Sequence, residues 1–326
     1  YSIDNQPGRP DPRAMFQPFG VHGRSQVVDH AQYQWQDADW TGVDKRDLII
    51  YELHIGSFTT AGTYEAAIRR LDELVGLGFT AVELLPLAQS PGRWNWGYDC
   101  VNFFAPRNTF GTPEQLKQFV DACHQRGLAV FNDVIYNHVG PEGNYLNVFG
   151  PYGSKKHGTP WGDALNFDGP GNQPVRQFVT DNVLFWLDEY HFDGLRLDAV
   201  HYMFDDSPLH ILAEIQQRFR QHQNGQNRKT YLIGETNIYD PDLVGSPADA
   251  KKHYDAIWSD CLMHSIIAIG DSDLRLTDRH YQHDDLAETL KHAYVFTAPQ
   301  AIRMTPQRRK LHHPTGDRSF IESLIA

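Results

Sequence analysis

The sequence predicts an α/β protein of the (β/α)8, or TIM-barrel, class, incomplete at its C-terminus, with about seven strands present. From residue 48 onward, short β-rich runs alternate with amphipathic helices, which indicates a parallel sheet. No GxGxxG or Walker-type loop follows the first run, which disfavours a doubly wound nucleotide-binding sheet. Acidic and aromatic residues instead follow many successive runs, as they do at the active face of a barrel.

Seven apolar runs supply the predicted strands. In chain order they cover residues 48–55, 80–87, 127–138, 193–200, 230–236, 255–260 and 320–326. Between the early runs, apolar residues recur at helical spacing, as at Leu116, Phe119, Val120 and Cys123. That helix is predicted to end at Gly127, because glycine suits the left-handed conformation that follows many helices.

Residues 1–45 differ in composition and hydrophobic periodicity from the rest of the chain. They are rich in Pro, Gly, Gln and Asp and show no sustained helical period. We interpret them as a lead-in, or linker, from a truncated β-domain that packs onto an incomplete catalytic barrel at residues 46–326. The first residue is not methionine, and the N-terminal sequence resembles the interior of a domain, so we expect a fragment of a longer protein.

Composition excludes several classes of partner. The 41 acidic and 29 basic side chains give a net charge of −12, so nucleic acid and anionic membranes would be repelled. No run of about 18 apolar residues and no secretory signal is present. Cys100, Cys123 and Cys261 lack CxxC spacing and are interpreted as reduced structural thiols. We therefore expect a cytoplasmic protein with no cofactor.

Two carboxylates, Asp198 and Glu235, are the predicted catalytic pair. Each follows a short apolar run, so on neighbouring parallel strands both acids would lie at carboxyl ends over one pocket. Burial behind Ile233 and Gly234 is expected to raise the pKa of Glu235 toward general-acid duty. One protonated and one ionised carboxyl group about 5 Å apart is the arrangement of a retaining glycosidase.

Arg196 is expected to keep the carboxylate of Asp198 charged. It precedes Asp198 by two residues, which in a strand places both side chains on the same face. A guanidinium at that position favours the ionised form of the carboxyl group. The alternative is a purely structural ion pair at the end of the strand.

The segment NDVIYNH places Asp133, Asn137 and His138 where the third run opens into a loop. Asn137 and His138 have donors and acceptors for sugar hydroxyls. Capping of the strand end is the alternative, mainly for Asp133 and Asn137, which are taken as structural support. Metal hydrolysis is disfavoured because no HxH or HExxH spacing occurs.

The segment RWNWGYD carries an aromatic cluster of Trp94, Trp96 and Tyr98 in a loop. Aromatic faces stack on the apolar faces of pyranose rings, whereas a core plug is the competing role for one of the tryptophans. Asp99 follows and is predicted to bridge to Arg196 as structural support. A further loop at residues 159–171, rich in Gly and containing a tryptophan, is expected to wall the cleft.

These motifs together resemble the alpha-amylase superfamily of glycoside hydrolases. NDVIYNH, GLRLDAVH, IGETN and WGYD are similar to its signature regions, in the same order, over about residues 48–300. Segments 10–29, 50–64 and 157–171 most resemble its trehalose-releasing members. The resemblance implies retaining hydrolysis of the α-1,4 bond that joins a terminal trehalose to a maltooligosaccharide. Maltooligosyl trehalose or a related α-glucan is then the implied substrate.

The resemblance implies a role for each residue that matches a family motif. The resemblance implies that Asp198 is the nucleophile, Glu235 the acid/base and Arg196 the partner of the nucleophile. The side chains taken to bind substrate beside Arg196 are Tyr98, His138, His201, Trp96 and Asp260.

The sequence also departs from the family pattern. The Asn-His-Asp motif of the seventh strand is not found, because His312, His313 and Asp317 precede the expected strand. The residues after Asp260 lack a further acid and an aromatic residue. Little or no turnover is therefore expected of this stretch alone, since lost transition-state stabilisation costs about 100-fold or more. A glycogen-branching-type glucanotransferase and a non-catalytic carbohydrate-binding pseudo-enzyme remain alternatives, and the residues after Asp133 favour the hydrolase over the transferase.

Overall fold

The computed structural model describes residues 1–2, 4, 7–236, 243–244, 254–270, 285–292 and 324–325. The chain forms two compact units. The first contains Tyr1–Arg196 and Tyr202–Thr230, and the second contains Leu197–His201 and Tyr231–Ala326. His312, His313 and Asp317 lie outside the described residues.

Strands and helices alternate along the described chain. The strands are β1 (Ile50–Leu53), β2 (Ala81–Leu84), β3 (Ala88–Gln89), β4 (Asn102–Pro106), β5 (Ala129–Val134), β6 (His138–Val139), β7 (Gly153–Gly158), β8 (Asp163–Leu165), β9 (Gly194–Leu197), β10 (Tyr231–Thr236), β11 (Ala256–Ser259) and β12 (Leu324–Ile325). The helices are α1 (Ile55–Phe58), α2 (Tyr64–Ile68), α3 (Leu71–Gly76), α4 (Pro113–His124), α5 (Leu146–Phe149), α6 (Gln173–Tyr190), α7 (Ile211–Gln223), α8 (Asp260–Gly270) and α9 (Asp285–His292).

In the first unit, β1, β2, β5 and β9 follow one another in the sheet in chain order. β1 pairs with β2 and β2 with β5 in parallel, with Ile50 opposite Ala81 and Ala81 opposite Ala129. All residues of β2, β5 and β9 are buried. Helices cover a parallel sheet on its face, which is why these strands read as continuous apolar runs.

The second unit contributes β10, β11 and β12, which are also parallel neighbours. Glu235 lies opposite Trp258, and Ile257 lies opposite Leu324. Each of the seven predicted runs therefore contains a strand, and the predicted strand and helix order of a (β/α) barrel is confirmed.

The loops contain two further small sheets. β3 and β4 form an antiparallel pair, and β6, β8 and β7 form a three-stranded antiparallel sheet after β5. Residues 159–171 were expected to be a loop, but residues 163–165 belong to β8. Such short strands carry no two-residue periodicity that a sequence pattern could reveal, because only one of the three is longer than three residues.

Helix ends follow local rules. Thr112 and Gln115 form a reciprocal capping box at the start of α4, next to Pro113. Gly127 after α4 has a φ of +75°, which confirms the predicted left-handed residue. Cys123 on the buried face of α4, Cys100 and Cys261 are all buried, and none of the three is in a disulfide.

The lead-in segment contacts α4 and the start of β9. The Tyr33 hydroxyl donates to Asp121 at 2.7 Å, and the Trp40 ring N–H donates to Asp193 at 2.7 Å. Within the described ranges, no helix is both long and apolar enough to cross a bilayer.

Candidate active site

The second unit brings Asp198 and Glu235 together at one end of its strands. Glu235 is the fifth residue of β10 and is 8% exposed. Its Oε2 accepts a hydrogen bond of 2.6 Å from the backbone N–H of Ala199, the residue directly after Asp198. A single peptide therefore links the two predicted catalytic positions, and Asp198 itself is half-buried.

Backbone strain accompanies this link. Ala199 is buried and has a φ of +39°, a conformation in which a side chain is crowded against its own backbone. Residues held in such regions cluster at functional sites, where the surrounding structure offsets about 1–3 kcal/mol of strain. The turn aims the Ala199 N–H at the Glu235 carboxylate.

Asp260 and His201 lie on the same unit. Thr236 is opposite Ser259 in the β10–β11 register, so Asp260 follows the carboxyl end of the strand beside Glu235. Asp260 begins α8, and its Oδ1 is 3.8 Å from Nε2 of His264 one turn later. His201, three residues after Asp198, is half-buried.

In the first unit, Asp133 accepts from two predicted site residues. Its Oδ2 accepts a hydrogen bond of 2.7 Å from Nη1 of Arg196 and one of 3.0 Å from the Tyr98 hydroxyl. Asp133 is 1% exposed and Arg196 is 6% exposed. A charge-assisted bond between two buried groups fixes the guanidinium at the end of β9.

The predicted bridge between Asp99 and Arg196 is wrong. The carboxylate of Asp99 accepts a hydrogen bond of 3.0 Å from the Asn95 side-chain amide, and the described contacts of Asp99 do not include Arg196. Asp133 provides the carboxylate partner of Arg196 instead. The error arose because Asp99 follows the aromatic cluster in sequence, whereas Asp133 reaches Arg196 from the neighbouring strand.

His138 and Asn137 are both buried at the start of β6. Nδ1 of His138 hydrogen bonds to the Asn137 side-chain oxygen, so this nitrogen carries the proton in the neutral ring. Trp161, from the loop predicted to wall the cleft, tilts toward His138 with 5.7 Å between ring centroids. Trp161 also meets the ring of Tyr202 at 4.7 Å, and 46% of its surface is exposed.

The aromatic loop is open, as predicted. Trp94 is 83% exposed and Trp96 is 60% exposed, which excludes the core-plug role for either side chain. Tyr98 is half-buried, consistent with its bond to Asp133.

Sequence reasoning missed His54, which lies beside this loop. Its Nε2 is 3.2 Å from the Asn95 carbonyl, and its Nδ1 is 3.2 Å from the Ser57 hydroxyl. A carbonyl only accepts, so Nε2 donates. Burial, together with the neighbouring Arg107 cation, lowers the pKa of His54 and favours the neutral ring. Its position directly after β1 was the available signal, because polar residues at that end of a barrel strand point to function.

One group of described side chains has the spacing of metal ligands. Ligand atoms of His157, Asp168 and Asp206 lie within 4.8 Å of one another. The ammonium group of Lys156 bonds to both carboxylates, at 3.0 Å from Asp168. The positive charge that these acids face is therefore already supplied by the chain.

Known proteins resemble this chain over much of its length. The alpha-amylase catalytic domain profile matches residues 33–156, and that domain is a (β/α)8 barrel. Malto-oligosyltrehalose trehalohydrolase of Arthrobacter ramosus is 47% identical over 268 residues, or 82% of this chain and 47% of the relative. A 1,4-alpha-glucan branching enzyme of Pseudoalteromonas atlantica is 38% identical over 214 residues, covering 60% of this chain and 29% of the relative.

A solved structure supports the same assignment. The crystal structure titled as a putative alpha amylase from Salmonella typhimurium is 35% identical and superposes with a TM-score of 0.81. The match covers 92% of this chain and 51% of that chain. The chain spans about half the length of the curated relatives it matches, with 47% and 46% of the first two covered. The chain belongs to the alpha-amylase family of glycoside hydrolases.

Proposed function

We propose that the protein carrying this sequence is a retaining glycoside hydrolase that releases trehalose from maltooligosyl trehalose. The observation that carries the proposal is the hydrogen bond from the Ala199 N–H to Glu235, which sets the acid beside Asp198. The similarity to malto-oligosyltrehalose trehalohydrolases supports the substrate.

The proposed reaction has two displacements. The Asp198 carboxylate attacks the anomeric carbon of the maltooligosyl unit, while the carboxyl group of Glu235 protonates the departing glycosidic oxygen of trehalose. A covalent glycosyl ester on Asp198 remains. Glu235, now a carboxylate, removes a proton from water, which attacks the same carbon and returns Asp198 to its ionised form. The products are trehalose and a maltooligosaccharide.

The other predicted site residues are proposed to bind substrate. We propose that Tyr98 and His138 bind sugar hydroxyls and that Trp96 stacks on a pyranose ring. Arg196 is proposed as the partner of the nucleophile, while Asp133 and Asn137 would hold Arg196, Tyr98 and His138 in place. His201 and Asp260 are proposed as further substrate-binding side chains. We also propose a cytoplasmic location, because the three cysteines are buried and none is in a disulfide.

The first experiment measures products. Purified protein is incubated with maltooligosyl trehalose, and free trehalose is quantified beside the Arthrobacter ramosus relative. Release of trehalose supports the proposal. Formation of α-1,6-branched glucan from linear maltooligosaccharides, without trehalose, would assign the transferase function instead. Glucan binding with neither product would assign the pseudo-enzyme function.

A second experiment separates the two acids. Fluoride leaves with little help from an acid, so a maltosyl fluoride substrate bypasses protonation of the leaving group. Glu235→Gln should still form the covalent ester with this substrate, whereas Asp198→Asn should not, as intact-protein mass spectrometry would show. Asp72→Asn serves as the control, because Asp72 is an exposed acid paired with Arg126. An ester formed by Asp198→Asn would remove Asp198 from the role of nucleophile.

A further inference from the structure

Arg107 is a buried cation that follows β4 directly. It is 0% exposed, and the groups of the described chain that act on the charge of its guanidinium do not include a carboxylate. Burial lowers the pKa of Arg107 to about 10, so the side chain is still charged at neutral pH. A buried guanidinium is costly unless its donors are satisfied. What satisfies them indicates what the residue does.

The Nη donors of Arg107 converge on one loop, whereas its Nε has no hydrogen-bond partner among the described residues. Nη2 donates to the carbonyls of Gly92 and Arg93, each at 3.2 Å, and Nη1 donates to the carbonyl of Asn95. The ring of Phe110 lies 5.0 Å below the guanidinium carbon. The planar fork of an arginine is suited to holding several acceptors at once.

That loop presents two exposed tryptophans, Trp94 and Trp96. The ring of Trp96 meets His54 edge-on with 4.9 Å between centroids, and the Arg93 guanidinium carbon lies 5.1 Å from the centre of the Trp94 ring. Because more than half of each indole is still exposed, these contacts leave the path of the backbone as a main determinant of where the rings point. The carbonyls on either side of Trp94 and before Trp96 are those that Arg107 holds. His54 adds a second donor to the Asn95 carbonyl.

Asn95 connects the carbonyls held by Arg107 to Tyr98, one of the residues proposed to bind sugar. Its side-chain oxygen accepts from the Gly97 N–H at 2.7 Å, and its amide donates to Asp99 at 3.0 Å. Tyr98 lies between these two residues and donates to Asp133. The contacts therefore run without a gap from Arg107 to the carboxylate that holds Arg196.

We infer that Arg107 is a positioning residue that holds the loop of residues 92–96 in the shape that presents Trp94 and Trp96 to an α-glucan. The glucan part of this inference rests on the proposed function, whereas the ordering of the loop does not. Arg107 is not proposed to contact any reacting atom. Its loss should change substrate affinity rather than the chemical step.

Amide hydrogen exchange tests the ordering without any ligand. In Arg107→Met, the peptide spanning residues 90–99 should exchange at least about 10-fold faster, because the carbonyls lose charge-assisted bonds worth about that factor. A peptide from β5 should exchange at its original rate. Arg107→Lys keeps the charge but offers one compact ammonium, so it should show an intermediate rate and keeps the test valid should the Met variant fail to fold.

Binding and kinetics then test the consequence. Arg107→Lys should raise KM for the maltooligosaccharide substrate by about 10-fold with kcat unchanged, since about 1.4 kcal/mol of binding corresponds to that factor. The matched control is Arg126→Met, because Arg126 also donates to a backbone carbonyl, that of Ala122 at 3.0 Å, yet its contacts are with α4 and Asp72.

The outcomes separate the two claims. Unchanged exchange in the loop of both Arg107 variants would overturn the inference, whatever the substrate. Faster exchange with glucan affinity equal to wild type would also overturn it. Faster exchange in a protein that binds no glucan at all would refute the proposed function and the glucan part of the inference, while the ordering role of Arg107 would stand.

Discussion

Acid sensitivity at His30 follows directly from its surroundings. The side chain is 6% exposed, and its ring packs edge-on against Phe185 and Tyr190 with centroids 5.5 and 5.4 Å away. Burial, then the charge of Lys117, lowers the pKa of His30 from 6.5 to about 4, and Asp29 opposes this only in part. The Glu189 carboxylate lies 3.7 Å from Nδ1 but is 39% exposed, so solvent screens its charge and the effect of burial prevails. The folded protein therefore holds a neutral imidazole that the unfolded chain would protonate.

The sign and size of the effect follow from linkage. Between pH 6.5 and about 4 the unfolded state binds the extra proton, so stability falls as the pH falls through this window. One pH unit of pKa difference corresponds to about 1.36 kcal/mol, so the full cost is about 3 kcal/mol at pH 4. His30→Phe removes the titrating group and keeps both the aromatic packing and the backbone carbonyl that accepts from Lys117.

Urea unfolding from pH 7 to pH 4, followed by circular dichroism, measures this difference. The stability of His30→Phe relative to wild type should rise by about 2–3 kcal/mol over that range. His22→Gln is the control for loss of an exposed histidine, because 56% of the His22 side chain is exposed. A flat difference between His30→Phe and wild type would refute the reasoning.

Three further changes test the packing of the first unit. Asp133→Ala removes a buried carboxylate that accepts from both Arg196 and Tyr98 and should cost about 3–5 kcal/mol in urea unfolding at pH 7. Gly97→Ala should lower the thermal midpoint by several degrees in calorimetry, because Gly97 has a φ of +105° and an added Cβ would lie 2.3 Å from the Pro86 carbonyl. Asn132→Val should leave stability within about 1 kcal/mol or raise it in the urea assay, since neither polar side-chain atom of this fully buried residue has a hydrogen-bond partner among the described residues.

The strands could be predicted because a parallel strand is recognisable from its own short stretch of sequence. Each of the seven is a short apolar run bounded by helical periodicity, and in β2, β5 and β9 burial of every residue leaves little room for other patterns. The placement of Asp198 beside Glu235 follows from the same rule, since carboxyl ends of parallel strands share one edge. The Ala199 contact that joins them could not be foreseen, because it depends on a left-handed residue that is not glycine.

The loop contacts could not be predicted, for a different physical reason. Arg107 and Asn95 lie twelve residues apart with a strand between them, and no periodicity relates a guanidinium to the carbonyls it will meet. The same holds for Asp133, which pairs with Arg196 across 63 residues. Backbone acceptors are present at every residue, so sequence does not mark which of them a buried cation will select.

Two aspartates in one motif show that strand direction alone can distinguish a structural acid from a candidate catalytic acid. FDGLRLDAVH places Asp193 before β9 and Asp198 after it. Asp193 accepts bonds from the Val130 N–H at 2.8 Å, His124 at 3.0 Å and the Trp40 ring at 2.7 Å. Burial raises the pKa of this carboxyl group, but His124, Arg228 and Trp40 together outweigh the effect of burial and leave the pKa below the usual value.

A carboxylate saturated by donors at the entry of a strand fastens neighbouring elements together, and its loss should cost stability. An acid at the exit of the same strand lies where chemistry occurs in barrels of this family, and its loss should cost turnover. The four residues of β9 between the two aspartates thus separate a structural acid from the proposed nucleophile. Asp193→Asn should therefore lower the urea midpoint, whereas Asp198→Asn should leave it close to wild type, and the reverse pattern would contradict the assignment.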